Sequence, residues 1–312
     1  MHQLVLFLHL LLFLFLFLPD ATFSAPAAGS SSCNRQCGST TVPYPFGFSG
    51  GGDCPILLAC NATTSTALLP RSTAADPYPV LSFNATASTF LVSLAPSCGR
   101  SVAETRAALD GGGGGGYGVS SRTGLFLRGG CGGPATGPGT SNSSSCNVPS
   151  GVMSAILRTA QCGGGNDSTS SWVCVLSAPP APGSPATTRG EEQFLGWDKV
   201  AAAGCQDALT SAVYAYTAQG VPSIMFGIAE MGWWLNGSCN NGGTGAGGRC
   251  AANATCQDVQ TPSGAWGHRC ACADGMSGDG FAAGDGCRYA DATSGECTVL
   301  VLRFQLLLLS SW

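Results

Sequence analysis

Charge is what this chain lacks most. Only 10% of its 312 residues are charged, Lys199 is its sole lysine, and 13 basic against 17 acidic residues leave a net charge of −4. Nucleic-acid backbones are held by stripes of Lys and Arg, so nucleic acid is excluded as a partner. Histidine is scarce too. His268 stands alone among the cysteines and no paired C-x-x-C motif occurs, which removes a Cys/His zinc site and leaves a hydrolytic triad a single imidazole. No G-x-G-x-x-G-x-V loop, V-A-I-K-type lysine, H-R-D or D-F-G run is present, so phosphoryl transfer is not implied. The adjacent carboxylates Glu191-Glu192 lie in a Pro/Gly-rich context that does not read as a glycosidase cleft. The expectation is a protein that is no enzyme and carries no cofactor or metal.

Cysteine, by contrast, is abundant: all 17 cysteines follow residue 32. Ahead of them, Val5 to Leu18 is a Leu/Phe run broken only by His9, followed by Pro19 and the small-residue site Ala25-Pro26-Ala27. The run is shorter than the ~20 residues of a membrane span, so residues 1–27 read as a signal peptide. Secretion turns the cysteines into a disulfide framework. Asn-x-Ser/Thr acceptors at Asn61, Asn84, Asn142, Asn166, Asn236 and Asn253 fit a glycosylated extracellular surface.

The stretch Cys33 to Cys60 packs four cysteines around Val42-Pro43-Tyr44-Pro45-Phe46-Gly47. The two prolines fix φ on either side of Tyr44 and present two rings on a stiff turn. Cys33, Cys37-Gly38, the V-P-Y-P-F-G run, Cys54 and Cys60 resemble the galacturonan-binding module of plant wall-associated receptor kinases. That resemblance implies binding of pectin or oligogalacturonides, with Arg35, Tyr44 and Phe46 as ligand residues; the alternative is that the rings fill a small core. Galacturonan is a polyanion and needs Arg forks or a bridging cation, which makes Arg71, Arg100 and Arg106 candidates beside Arg35.

Partial alternation over Leu81 to Leu94 predicts strand, and residues 33–108 form the expected first module. Gly111 to Gly116 place a flexible connection at 109–118; without a following G-K-[ST] it is no phosphate loop. A second cysteine-rich domain is expected over 119–235, with short strands at Leu125–Leu127 and Trp172–Leu176. Val200, Cys205, Leu209, Ala212, Val213 and Tyr216 approximate one apolar face and predict a helix over 197–219.

Ala229-Glu230-Met231-Gly232-Trp233-Trp234-Leu235-Asn236-Gly237-Ser238-Cys239 resembles the close of that second domain in grass relatives of the same kinases. Trp233 and Trp234 are candidates to stack on sugar rings, or else seal the junction with the next domain. From Cys239 to Cys287 the spacing C-x10-C-x5-C-x13-C-x-C-x14-C resembles an EGF-like domain, placed at 236–288. This likeness implies the pairs Cys239–Cys256, Cys250–Cys270 and Cys272–Cys287. No acidic cluster precedes Cys239, so no EGF calcium site is expected.

Residues 289–312 form a hydrophobic tail that is too short for a bilayer span; it reads either as a lipid-anchor signal or as a truncated end, and Cys297 within it has no evident partner. The fold expected is a tandem of small disulfide-rich, mainly β modules with one helix. The function the resemblance implies is polysaccharide binding in the cell wall or at the outer face of the plasma membrane. The alternative is an EGF-mediated interaction ectodomain, a co-receptor or decoy for full-length wall-associated kinases.

Overall fold

The computed structural model describes residues 33–49, 54–71, 76–111, 116–131, 146, 148, 150–160, 162, 172–177, 193–216, 222–241 and 249–289. The expected signal peptide, residues 112–115 of the glycine run, Asn142, Asn166, Glu191-Glu192 and Cys297 with its tail lie outside them.

Strands dominate, as the cysteine-rich, β-branched sequence predicts. The first is a two-residue pair, β1 (Gln36–Cys37) with β2 (Thr40–Thr41). Next comes β3 (Phe46–Phe48), paired in parallel with β4 (Ile56–Asn61). Gly47 lies directly under the Cys33–Cys54 bridge, where any side chain would overlap both sulfurs. Antiparallel β5 (Thr66–Leu69), β6 (Tyr78–Asn84) and β7 (Thr89–Ser93) extend this sheet. A bulge between Val80 and Ser82 turns Leu81 outward, leaving it 51% exposed.

The sheet is completed from far along the chain. β13 (Ile228–Trp233) pairs with β7, and β8 (Tyr117–Val119) pairs with β13, giving the order β3-β4-β5-β6-β7-β13-β8. The expected boundary at 109–118 is therefore corrected: strands from both expected modules share one sheet and one core. The physical reason is edge pairing. β7 would otherwise expose a row of backbone groups, and β13 satisfies them.

A second sheet has the order β10-β9-β11-β12, from β9 (Thr123–Arg128), β10 (Trp172–Val175), β11 (Asp207–Tyr216) and β12 (Pro222–Phe226). The helix expected over 197–219 is corrected: among the described residues of that range α3 (Trp197–Ala202) alone is α-helical, and Asp207–Tyr216 form the central strand β11. Ala208 to Val213 are all buried, because β11 is covered on both faces. A strand buried on both faces shows no period-two alternation, and its apolar residues then mimic a helical face. Gly204, at φ 66°, ends the helical turn before Cys205 bridges to Cys131.

Among the described residues the two longer α-helices are α1 (Val102–Leu109) and α2 (Ser150–Thr159). Ser101 caps α1, its Oγ accepting from the Glu104 amide at 3.1 Å. Upstream of residue 239 the remaining bridges are Cys37–Cys60, Cys98–Cys162 and Cys146–Cys174. The last region holds β14 (Leu235–Asn236), β15 (Ala254–Gln260) and β16 (Trp266–Cys272) in the order β14-β16-β15. The hairpin of β17 (Met276–Gly278) and β18 (Cys287–Tyr289) follows. Its bridges are Cys239–Cys256, Cys250–Cys270 and Cys272–Cys287.

Candidate ligand-binding site

The rings singled out in the sequence lie mostly inside the protein. Phe46 sits 5.0 Å from Trp233, 5.1 Å from Phe90 and 4.9 Å from Phe83, ring centre to ring centre. Phe46 and Trp233 are fully buried, and Trp234 keeps only 6% exposure against Phe194. All three are corrected from sugar-stacking candidates to core residues, since a ring without a free face cannot receive a saccharide. The V-P-Y-P-F-G run and the G-W-W run, 187 positions apart from Phe46 to Trp233, meet in one aromatic cluster. Gly267 carries no side chain because Trp234 lies against it; a Cβ there would overlap the indole.

Arg35 and Tyr44 are also engaged. Arg35 Nη2 donates to Asp285 Oδ1 at 2.8 Å, and the half-buried Tyr44 ring meets Phe281 edge-on at 5.3 Å. Both contacts run from the first module to the loop before Cys287, so these residues hold the last region in place. The Tyr44–Pro45 peptide is cis. Buried Asp279 supports the same loop, accepting from the amides of Phe281 (3.1 Å), Asp285 (2.8 Å) and Gly286 (3.0 Å).

The hydrogen bond from Arg35 holds the Asp285 carboxyl below its ordinary 3.8, with the Arg35 and Arg288 charges adding to it against partial burial. A lowered acid value means that this contact adds stability above pH 3.8 and is lost as pH falls through the lower folded value. Asp285→Asn is expected to cost about 0.2–1 kcal/mol at neutral pH, as for a partly exposed pair. Relative to wild type, the variant should also show a flatter loss of stability under acid, measured by denaturant midpoints across a pH series.

What the fold assembles instead is a cationic cluster at the start of β6. The Arg71 guanidinium lies 4.6 Å from the centre of the Tyr78 ring, and that of Arg100 lies 5.7 Å from the same ring. Arg71 Nη1 donates to the Asp76 carbonyl at 3.1 Å and Arg100 Nη2 to the Ala95 carbonyl at 2.7 Å. Arg71 Nε, Arg100 Nη1 and the Tyr78 hydroxyl are covered from solvent and have no hydrogen-bond partner. Burial pushes the Arg100 value down, and the neighbouring Arg71 charge adds to that, while Tyr78 opposes it. The nearest carboxylate is Glu104 on α1, half-exposed and 3.6 Å from Arg71. Arg71 thus has one half-exposed carboxylate beside it, and each guanidinium keeps a covered donor without an acceptor.

Arg71 and Arg100 were legible as candidates; their convergence was not. Tyr78 was missed, although Pro77-Tyr78-Pro79 repeats the pattern of Pro43-Tyr44-Pro45 and could have drawn notice. Arg106, the remaining candidate, pairs with Asp110 at 3.4 Å on α1. Among the described residues, no group of three or more His, Cys, Asp or Glu side chains is placed to hold a metal ion.

The chain is 28% identical over 265 residues to wall-associated receptor kinase-like 14 of Arabidopsis thaliana, covering 84% of this chain and 31% of that protein. It is 26% identical over 265 residues to wall-associated receptor kinase-like 21, covering 85% and 35%. The chain is similar to plant wall-associated receptor kinase-like proteins. A 40-residue stretch is 52% identical to wall-associated receptor kinase-like 5, 12% of this chain and 5% of that one. Against the first two wall-associated receptor kinase-like proteins, the matched region spans about a third of their length. No family model and no solved structure matches. In this relative of the wall-associated receptor kinase-like proteins, the large aromatic surface exposed among the described residues is in the last region. Trp266 is 57% and Tyr289 78% exposed.

Proposed function

We propose that this chain is a secreted or surface-held, non-enzymatic ectodomain that binds de-esterified galacturonan through Arg71 and Arg100. The observation that carries the reading is the pair of guanidiniums over one tyrosine ring, with the half-exposed Glu104 carboxylate beside Arg71. Arg presents a planar fork to such a group, and partial burial strengthens the contact. Glu104 is the carboxylate a ligand would compete with for Arg71. Because the chain as a whole is acidic, a polyanion is held locally, by this cluster. The wall-associated naming of the relatives supports the same setting.

The test is titration of the glycosylated chain with de-esterified and methyl-esterified oligogalacturonides, with and without calcium. Arg71→Gln or Arg100→Gln is expected to weaken de-esterified ligand roughly 10- to 100-fold, at about 1.5–3 kcal/mol per charge-assisted bond. Glu104→Gln should tighten it. Equal affinity for both ligands, or unchanged affinity in the folded Arg variants, would overturn the assignment.

A second reading is favoured by the exposed Trp266 and Tyr289: a protein-binding face that meets full-length wall-associated kinases as a co-receptor or decoy. Loss of capture of such a kinase ectodomain by Trp266→Ser, with galacturonan binding intact, would separate it from the first.

A further inference from the structure

Asn236 opens the acceptor Asn236-Gly237-Ser238, and its side chain is exposed at the end of β14. The same side chain lines a groove of about 510 Å3 between α1, α3 and the turn joining β15 to β16. That volume lies within the ~300–1,000 Å3 of ordinary small-ligand sites. Trp197, Trp234 and Pro262 contribute apolar surface, while Arg106, Asp110 and Asp198 contribute charge. Two carboxylates against one guanidinium, itself paired to Asp110 at 3.4 Å, make the groove unfit for an acidic uronate. The same set suits a neutral amide sugar: carboxylates accept from its N–H and hydroxyls, and Pro262 meets its C–H face.

We propose that the first N-acetylglucosamine of a glycan attached to Asn236 seats in this groove and ties the turn of β15–β16 to the body of the protein. Attachment follows ordinary transfer from a polyprenyl-diphosphate oligosaccharide. The Asn236 Nδ2 bonds to the sugar C1, the C1–oxygen bond to the diphosphate breaks with its electron pair, and the amide gives up one proton. Once attached, the sugar is tethered at the groove's own lip. Its effective concentration there is on the order of millimolar, so contacts too weak to hold a free sugar keep the groove filled. Asn61, Asn84 and Asn253 are exposed as well, but none of them lines this groove. The turn that the sugar would clamp already rests on the body, with Gly118 closely approached by Pro262.

This inference does not depend on the galacturonan reading, which involves other residues and an acidic ligand. The experiment uses the full chain secreted from eukaryotic cells. Glycopeptide mass spectrometry reads occupancy at Asn236, and hydrogen exchange follows peptides covering 106–118, 196–198 and 261–266. Expected are an occupied Asn236, several-fold faster exchange of those peptides in Ser238→Ala, and no change when the wild-type glycan is trimmed to its first sugar. Asn61→Gln should leave them unchanged. If Ser238→Ala fails to fold, Asn236→Gln, which loses the attachment and adds no charge, provides the same comparison. An unoccupied Asn236, unchanged exchange in the variant without the glycan, or saturable binding of free chitobiose to the glycosylated wild type would overturn the proposal.

Discussion

Trp233→Ala is expected to cost about 3–5 kcal/mol, the usual cost of emptying a large aromatic site in a packed core. Trp233 is the largest fully buried side chain among the described residues, with Phe46 at 5.0 Å and Phe90 at 6.2 Å. Its removal leaves a cavity where the start of the chain meets β13. At about 2–4 °C per kcal/mol for a chain of this size, the thermal midpoint should fall far enough to reduce secreted yield. Trp233→Phe should cost much less, because the indole N–H has no hydrogen-bond partner to lose. Calorimetry on the secreted proteins decides the point. A variant that kept its midpoint and lost only sugar binding would return Trp233 to the role of a stacking platform.

Glu230→Ala is the second large effect, expected at about 1.5–3 kcal/mol for losing charge-assisted hydrogen bonds to a buried carboxylate. Glu230 is 4% exposed and accepts from Arg122 through Nε at 3.0 Å and through Nη2. Its backbone is bound twice by Thr123 Oγ1, at 3.1 and 2.9 Å. Nearby, partly buried Arg269 donates from Nε to the Trp233 carbonyl at 2.6 Å and lies over Phe194. Burial pushes the Arg269 value down to about 10 and the Glu230 charge opposes this, so Arg269 stays charged at neutral pH and needs that carboxylate. Alanine at 230 leaves Arg122, 41% exposed, to water and removes the opposing charge from Arg269. Replacing Arg122 and Glu230 together with methionine should cost markedly less than Glu230→Ala, since no unpaired carboxylate or partner is left between them. Denaturant unfolding of the three proteins tests this; equal costs would show that Glu230 acts through packing alone.

Both predictions concern residues inside the runs that carry the family resemblance, and that overlap explains what the sequence could and could not reveal. Tyr44, Phe46, Trp233 and Trp234 stand out because they are rigid, aromatic and set among prolines and glycines. Those same properties suit a core anchor as well as a ligand platform, and a ring's direction is set by contacts that one segment cannot display. Arg35 carries a comparable ambiguity: its partner Asp285 lies 250 positions away. The strands around Leu81–Leu94, Leu125–Leu127 and Trp172–Leu176 were readable from their apolar, β-branched runs. β11 was not, because burial on both faces erased its alternation.

Composition and spacing alone determine that this is a cysteine-rich chain with few charges and short apolar runs of strand type, and its motifs resemble an EGF-like domain and wall-associated receptor kinases. These are local or additive properties, carried by residue counts, short intervals and short runs. Only the tertiary structure decided how the ten upstream cysteines pair, that β13 closes the sheet begun by β3, and that Arg71 and Arg100 converge on Tyr78. Each joins residues separated by intervals of any length, because closing a longer loop costs only slightly more entropy than closing a short one. Sequence distance therefore places little restriction on the partner, and packing of the shared core selects it.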